Sequence, residues 1–384
     1  MTELIQAHGQ VILRMNELSK RDKPAQLDES GMGPLLTEGW KLTGEWVGAW
    51  LDLHPNASAK QLQAIFPDFT PPPYKGIYDE KRANLYAMGG SATRVAKDVY
   101  VVASTYGPED IEGTSGTFFV VSRDASGHFR PIWDIKPLAE RHYELRDEIG
   151  LWAVLESCAY HCGPMAVNKV LPLPPTAKGL PRFAVDAYQA SNGGTVEAQL
   201  GVWEWDGKEA HAELIQSYNY AADYGGIHSQ GNLVRIVTKE PTSTLVPCGM
   251  CPEPRGDWTL RLTPNGIEDL GHRFRTPEIE WADQLLTTVA KSGDASALAS
   301  PEALSALRDA IAKQRAKYPP TQGETEEEKA FVFFGLYEKC RILSRRTQGQ
   351  FVIEEDDATF RFYYEKRGGK PFFTRVSIQP GRLN

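Results

Sequence analysis

GVWEWDGKEAHAEL (Gly201–Leu214) holds two alternating apolar and polar stretches around Asp206-Gly207. Period-two alternation marks a half-buried strand, and Asp-Gly between two such strands marks a tight hairpin turn. The two strands are expected over Val196–Trp205 and Glu209–Ser217. A hairpin of this kind recurs on either side in the chain. Thr117–Ser122 and Phe129–Ile135 flank Asp124-Ala-Ser-Gly127, and Trp258–Thr263 and Ile267–Phe274 flank Pro264-Asn265-Gly266. Each hairpin is preceded by an isolated strand-like run, Asp98–Thr105, Arg182–Ala190 or Leu233–Lys239, and then by an excursion of variable length. Further strand-like runs stand at Asn84–Met88, Thr93–Ala96 and Leu151–Glu156. A β unit recurring at long period points to an irregular, small β-propeller-like core, with a β-sandwich as the alternative.

The flanks have helical period. Leu4, Ile5, His8, Ile12, Met15 and Leu18 share one face of a helix over residues 3–19. A polar connector, Lys20–Pro34, precedes a second helix over Leu35–Leu53, whose Trp40, Trp46 and Trp50 read as packing residues rather than a sugar platform. Ser58 and Gln61 make a capping-box pattern for a third helix ending at Pro67. Pro67–Gly76 is a stiff linker. Beyond it the chain is mainly β until Thr276-Pro277-Glu278 and Ser300-Pro301-Glu302 open two more capped helices. A further helix is expected after Glu324–Glu328, with Cys340 on its apolar face. The chain then closes with a strand at Gln350–Glu354 and a hairpin of Thr359–Glu365 with Phe372–Ile378. The expected organisation is an N-terminal helical segment and linker over 1–75, a β core over 76–275 and a C-terminal α+β domain over 276–384.

Composition narrows the partners. Lys and Arg number 42 against 50 Asp and Glu, a net charge of −8. Nucleic acid and anionic membrane both need a concentrated basic face, so neither is expected as a partner. No apolar run is long enough to span a bilayer, so no membrane insertion is expected. The N-terminus MTELIQAHGQ is polar and has no signal-peptide character. The richness in glycine, proline and tryptophan suits an exported protein, periplasmic or extracellular, whose signal is not in this chain. A cytosolic location stays open.

Five cysteines are present: Cys158, Cys162, Cys248, Cys251 and Cys340. Cys340 reads as a buried core thiol. The other four form two close pairs in excursions between strands. The first expectation is two local disulfides, Cys158–Cys162 and Cys248–Cys251, each bending a loop. The alternative is structural zinc held by all four sulfurs, with His161 able to replace one. Redox chemistry at Cys248-Gly-Met-Cys251 is disfavoured, because Pro252 and Pro254 follow and no helix starts there to lower a thiol pKa. No other cofactor is expected.

No P-loop, dinucleotide-binding fingerprint, nucleophile elbow or HExxH motif occurs. Asp186, Glu197, Glu204 and Asp206 lie on or beside strands, where an outward-facing acid is the simplest reading. Tyr224–Asn232 (YGGIHSQGN) reads as a flexible polar loop carrying His228. The functional expectation is a binding or interaction module with variable loops at one end of a rigid β body. Its partner would be a protein or a small polar ligand. The alternatives are a hydrolytic enzyme acting on a polar substrate in a cleft of the β core, and a zinc-stabilised structural protein.

Overall fold

Each of the three hairpins is the outer half of a four-stranded antiparallel meander. The structure, a computed structural model, describes residues 1–21, 32–69, 87–107, 115–133, 135–136, 166–190, 196–219, 226–239, 255–317, 349–354 and 358–380. The first sheet runs in order β1 (Ala87–Ala96), β2 (Val99–Gly107), β3 (Ser115–Arg123) and β4 (Phe129–Ile132). After β5 (Ile135–Lys136), the second sheet follows as β6 (Ala166–Leu173), β7 (Arg182–Ala190), β8 (Val196–Trp205) and β9 (Ala210–Asn219). The short β5 adds to β9 in parallel. The third comprises β10 (Ile227–Gln230), β11 (Leu233–Lys239), β12 (Arg255–Thr263) and β13 (Gly266–Phe274). The isolated strands of the sequence are therefore second strands, and each sheet has a first strand before them. For the third sheet that strand lies inside the stretch expected to be a loop. Only Ile227 of β10 is buried and the other three residues are exposed, so the segment carries almost no apolar signal. Asn84–Met88 and Thr93–Ala96 give way to one continuous strand from Ala87, while Leu151–Glu156 lies outside the described residues.

The turns follow from their side chains. Asp206 Oδ1 accepts from the backbone N–H groups of Lys208 and Glu209 at 2.8 Å each, and Gly207 takes φ +100°. Asp124 does the same for Ser126 and His128, with Gly127 at φ +85°. These are Asx-type turns in which glycine supplies the positive φ.

The first sheet is buried on both faces, which is why VYVVAS shows no clean alternation. On one face Tyr100, Val102, Tyr106, Phe119, Val121 and Phe129 pack under the N-terminal helices. On the other, Val99, Val101, Ala103, Phe118 and Val120 meet Phe183, Val185, Ala187, Trp203 and Trp205 of the second sheet. The helices are α1 (Thr2–Arg21), α2 (Met32–Leu53), α3 (Ala59–Gln63) and α4 (Phe66–Phe69). The predicted third helix is thus two short ones: the Ser58–Gln61 capping box opens α3, and Pro67 sits in the first turn of α4 rather than ending a helix. Helix α2 comes close to the sheet through its glycines. A Cβ on Gly48 would meet the Phe129 carbonyl oxygen at 2.7 Å, and one on Gly44 would meet the Trp133 ring at 2.7 Å.

The chain divides into two compact units, Met1–Ile236 with Thr259–Gly271, and Val237–Trp258 with His272–Asn384. In the second, α5 (Pro277–Ala290) and α6 (Pro301–Lys317) cover one face of the sheet β14 (Gln350–Glu354), β15 (Ala358–Arg367), β16 (Lys370–Pro380). Ile279, Ala282, Leu286 and Val289 face this core with Phe351, Phe360, Phe362 and Phe373, as the helical period predicts. The helix expected after Glu324–Glu328 lies outside the described residues. The molecule is thus mainly β, in four antiparallel sheets with helices. None of the described sheets closes on itself, and no described helix is long and apolar enough to cross a membrane.

Candidate functional site

In each of the first three sheets the first and third strands begin, and the second and fourth end, at the same edge. At the other edge the turns are mostly tight: residues 97–98, 124–128, 206–209, 231–232 and 264–265. The exception is 174–181, a link of eight residues. The connections 108–114, 191–195 and 240–254, of seven, five and fifteen residues, join second to third strands. The connections 70–86 and 137–165 enter first strands at that same edge of their sheets. Cys158 and Cys162 lie in 137–165, and Cys248 and Cys251 in 240–254. All four, with Cys340 and His161, fall outside the described residues. Among the described residues no group of three or more His, Cys, Asp or Glu side chains is placed to hold a metal.

The middle of the second sheet carries a buried polar cluster. Asp186 is 0% exposed, although the sequence suggests an outward-facing acid. The reason is topological. Strand β7 is interior to the sheet, and both of its faces are covered: Phe183, Val185 and Ala187 pack toward the first sheet. On the Asp186 side, Ala184, Ala198, Leu200 and Val202 are likewise fully buried. A carboxylate among such neighbours must be hydrogen-bonded. The Tyr218 hydroxyl near the end of β9 donates to its Oδ1 in a short bond. Lys169 of β6 lies directly opposite Asp186 in register, and its Nζ donates to the Ile227 carbonyl at 3.0 Å. A buried acid and a phenol are thus paired across β8, with a lysine in register on the neighbouring strand.

The other acids singled out in the sequence do not join this cluster. Glu204 lies four residues beyond Leu200, the register partner of Asp186, or about 13 Å along the strand. Glycosidase carboxylates stand at most about 9.5 Å apart, so these two do not form such a pair. Asp206 sits in the opposite turn. The backbone N–H of Glu209, the His211 side chain and the backbone N–H of Lys208 bring its pKa to about 2, which stabilises a turn rather than arms an acid. For Glu197 only the strand position on β8 is described, and His228 is exposed on β10.

A second titratable cluster lies in the helix–sheet core. His8 Nδ1 donates to the Phe69 carbonyl at 2.9 Å, and the Tyr106 hydroxyl donates to Nε2 at 2.7 Å. Tyr106 also lies 3.0 Å from Thr43 Oγ1, and His8 stacks on Phe69 at 3.9 Å. Burial lowers the His8 pKa to about 4 and holds the Tyr106 phenol well above its usual range. With His8 and Tyr106 both fully buried, this is a structural staple of α1, α4 and β2. Nearer solvent, an open cleft of about 540 Å³ lies at the end of α2 between Trp50, His54, Asn56, Gln61 and Ala64. Its wall is the His54 ring stacked on Trp50 at 4.2 Å, with His54 Nδ1 bonded to the Trp50 carbonyl. Trp40 and Trp46 are buried packing residues, as the helical spacing implies.

Lys169, Tyr218 and the cleft escape sequence reasoning. The available signal was Ala184 beside Asp186, a small apolar residue where a solvated face would carry a polar one. Comparison of the chain with protein-family models and with curated proteins finds no match.

Proposed function

We propose that this chain is an exported binding module whose ligand, a protein segment or a small polar molecule, is held at the loop edge of a propeller-like β body. The observation that carries the reading is the segregation of connections in the first and third sheets: tight turns at one edge, and the longer links 108–114 and 240–254 at the other. The propeller-like arrangement is supported by the first strands. Thr93 of β1 donates to the Val170 carbonyl of β6, and Lys169 of β6 donates to Ile227 of β10, as inner strands of successive blades would. A sandwich of the first two sheets about Phe118, Phe183 and Trp203 is the alternative frame. In this reading Cys158–Cys162 and Cys248–Cys251 are disulfides that bend two of the long connections, with a shared zinc as the alternative. The Asp186–Tyr218 pair lies at the base of the site.

A screen of peptides and oligosaccharides by thermal shift tests this. A ligand that stabilises the full chain should lose its effect when 108–114 or 191–195 is replaced by a Gly/Ser link of equal length. A ligand whose effect survives both replacements refutes a loop-edge site. The burial of Asp186 favours one second reading, a hydrolase. Time-dependent conversion of the ligand, abolished in Asp186→Asn, would select it.

A further inference from the structure

The hairpin β15–β16 stands out electrostatically from the rest of the chain. Between Ala358 and Pro380 it carries Arg361, Lys366, Arg367, Lys370 and Arg375 against the single acid Glu365, in a protein of net charge −8. Strand register sorts these residues. Phe360, Phe362 and Phe373 face the helical core, so Arg361, Tyr363 and Arg375 emerge on the opposite face, and Phe372 pairs with Glu365 there. Two guanidinium groups sit over aromatic rings of this face: Arg375 over Tyr363 at 4.0 Å and Arg367 over Phe372 at 3.4 Å. Stacking fixes the plane of a guanidinium and leaves its N–H edge for a carboxylate or phosphate. Glu365 already shows the contact, with both Nε and Nη2 of Arg367 at 2.7 Å from its Oε1. Arg361, Lys366, Lys370 and Arg375 have no carboxylate partner among the described residues. Arg375, Lys366 and Lys370 are exposed and Arg361 is half-buried, where the same face closes at its register partner Val352 and at Thr359.

We propose that this face, from Arg361 to the Gly368-Gly369 tip, is a docking surface for an extended acidic polypeptide segment of a partner. Arg361 and Arg375 are diagonal neighbours across the two strands, about 7–8 Å apart at the backbone. Alternate side chains of an extended peptide lie about 6.6–6.8 Å apart, so carboxylates at every second position match the two forks. A short acidic peptide meets only the patch. Nucleic acid or an anionic bilayer would also bring its charge near the net-negative remainder of the chain, which disfavours both.

The test is fluorescence anisotropy of the full chain with a labelled ten-residue peptide of alternating Glu and Ser. A length-matched oligodeoxythymidylate and vesicles of phosphatidylcholine with phosphatidylserine serve as comparisons. Binding to the peptide should weaken with salt. It should fall about 30-fold or more in Arg361→Glu/Arg375→Glu, and about threefold in Arg375→Lys, which keeps the charge but loses the planar fork. If the double variant does not fold, as judged by its thermal midpoint, Lys366→Glu/Lys370→Glu at the exposed tip replaces it. Peptide affinity unchanged by charge reversal overturns the proposal. So does tighter binding of the oligonucleotide or the vesicles, and so does no binding of the peptide at low salt.

Discussion

Replacing Gly201 by alanine should reveal how tightly the first two sheets are keyed together. Gly201 and Trp203 are two residues apart on β8, and the indole lies back over the glycine. An added Cβ at position 201 would meet three atoms of that ring, and even the farthest, Cζ2, would be 2.7 Å away. Carbon atoms in contact need about 3.5–4.0 Å, so the ring must retreat by about 1 Å or more. It has little room to do so. Trp203 is fully buried, stacked at 5.8 Å on Phe183 and edge-on at 5.0 Å to Phe118 of the first sheet. Overpacking a filled core costs about 1–3 kcal/mol, and a ring held by two aromatic neighbours belongs at the upper end of that range. The measurement is urea unfolding of Gly201→Ala, read as a lowered midpoint at unchanged slope. Trp203→Leu should itself be costly, but in that background Gly201→Ala should become nearly neutral, giving a coupling of about 2 kcal/mol. Equal losses in both backgrounds, or a Gly201→Ala midpoint matching the parent, would refute the packing described here.

Gly207 has φ +100° with open space around it, so Gly207→Val should cost on the order of 1 kcal/mol or more through backbone strain alone, seen in a thermal melt. His8 has a folded pKa of about 4, below the unfolded value of about 6.5, so its contribution is complete above pH 6.5 and is lost as pH falls through 4. The loss should be on the order of 3 kcal/mol, and His8→Gln should flatten the pH dependence of stability between those limits. Alkylation after unfolding without reductant should label one cysteine, Cys340, with no metal present. Five labelled cysteines and one equivalent of zinc would instead establish the metal site and remove the reason for placing the protein outside the cytosol.

The strands that were legible in the sequence share a local cause. Asp206-Gly207 and Asp124–Gly127 encode their own turns through a side-chain acceptor and a positive φ, and Asn265-Gly266 through the positive φ of its glycine, so the flanking strands announce themselves. First strands lack that signal. Strand β6 contains Asn168, Lys169 and Pro172, and β10 buries one residue in four. Both are recognisable only once their neighbours are in place, because pairing is a property of the sheet and not of the segment. The α3–α4 break is similar: Pro67 can end one helix or open the next, and the packing of Phe66 and Phe69 into the helix–sheet core selects the second.

The same distinction explains why the candidate site was harder to read than the fold. An acid on a strand faces water when one side of the sheet is solvated, and a single sequence gives little warning that β7 is covered on both sides. Once it is, Asp186 has to be paired, and its donor comes from where the meander places it: Tyr218, two strands away, with Lys169 in register on the preceding strand. Their sequence separations of 32 and 17 residues follow no local period, so no spacing rule could join them. Tyr218→Phe removes the donor while keeping the ring. It leaves a buried carboxylate short of a hydrogen bond, a loss of about 1–3 kcal/mol for a structural pair. Asp186→Leu, close in volume, removes the carboxylate that needs the bond. Recovery of stability in Asp186→Leu/Tyr218→Phe with loss of every ligand response would mark the pair as part of the binding site. Full retention of the response would confine the pair to holding β7 and β9 together.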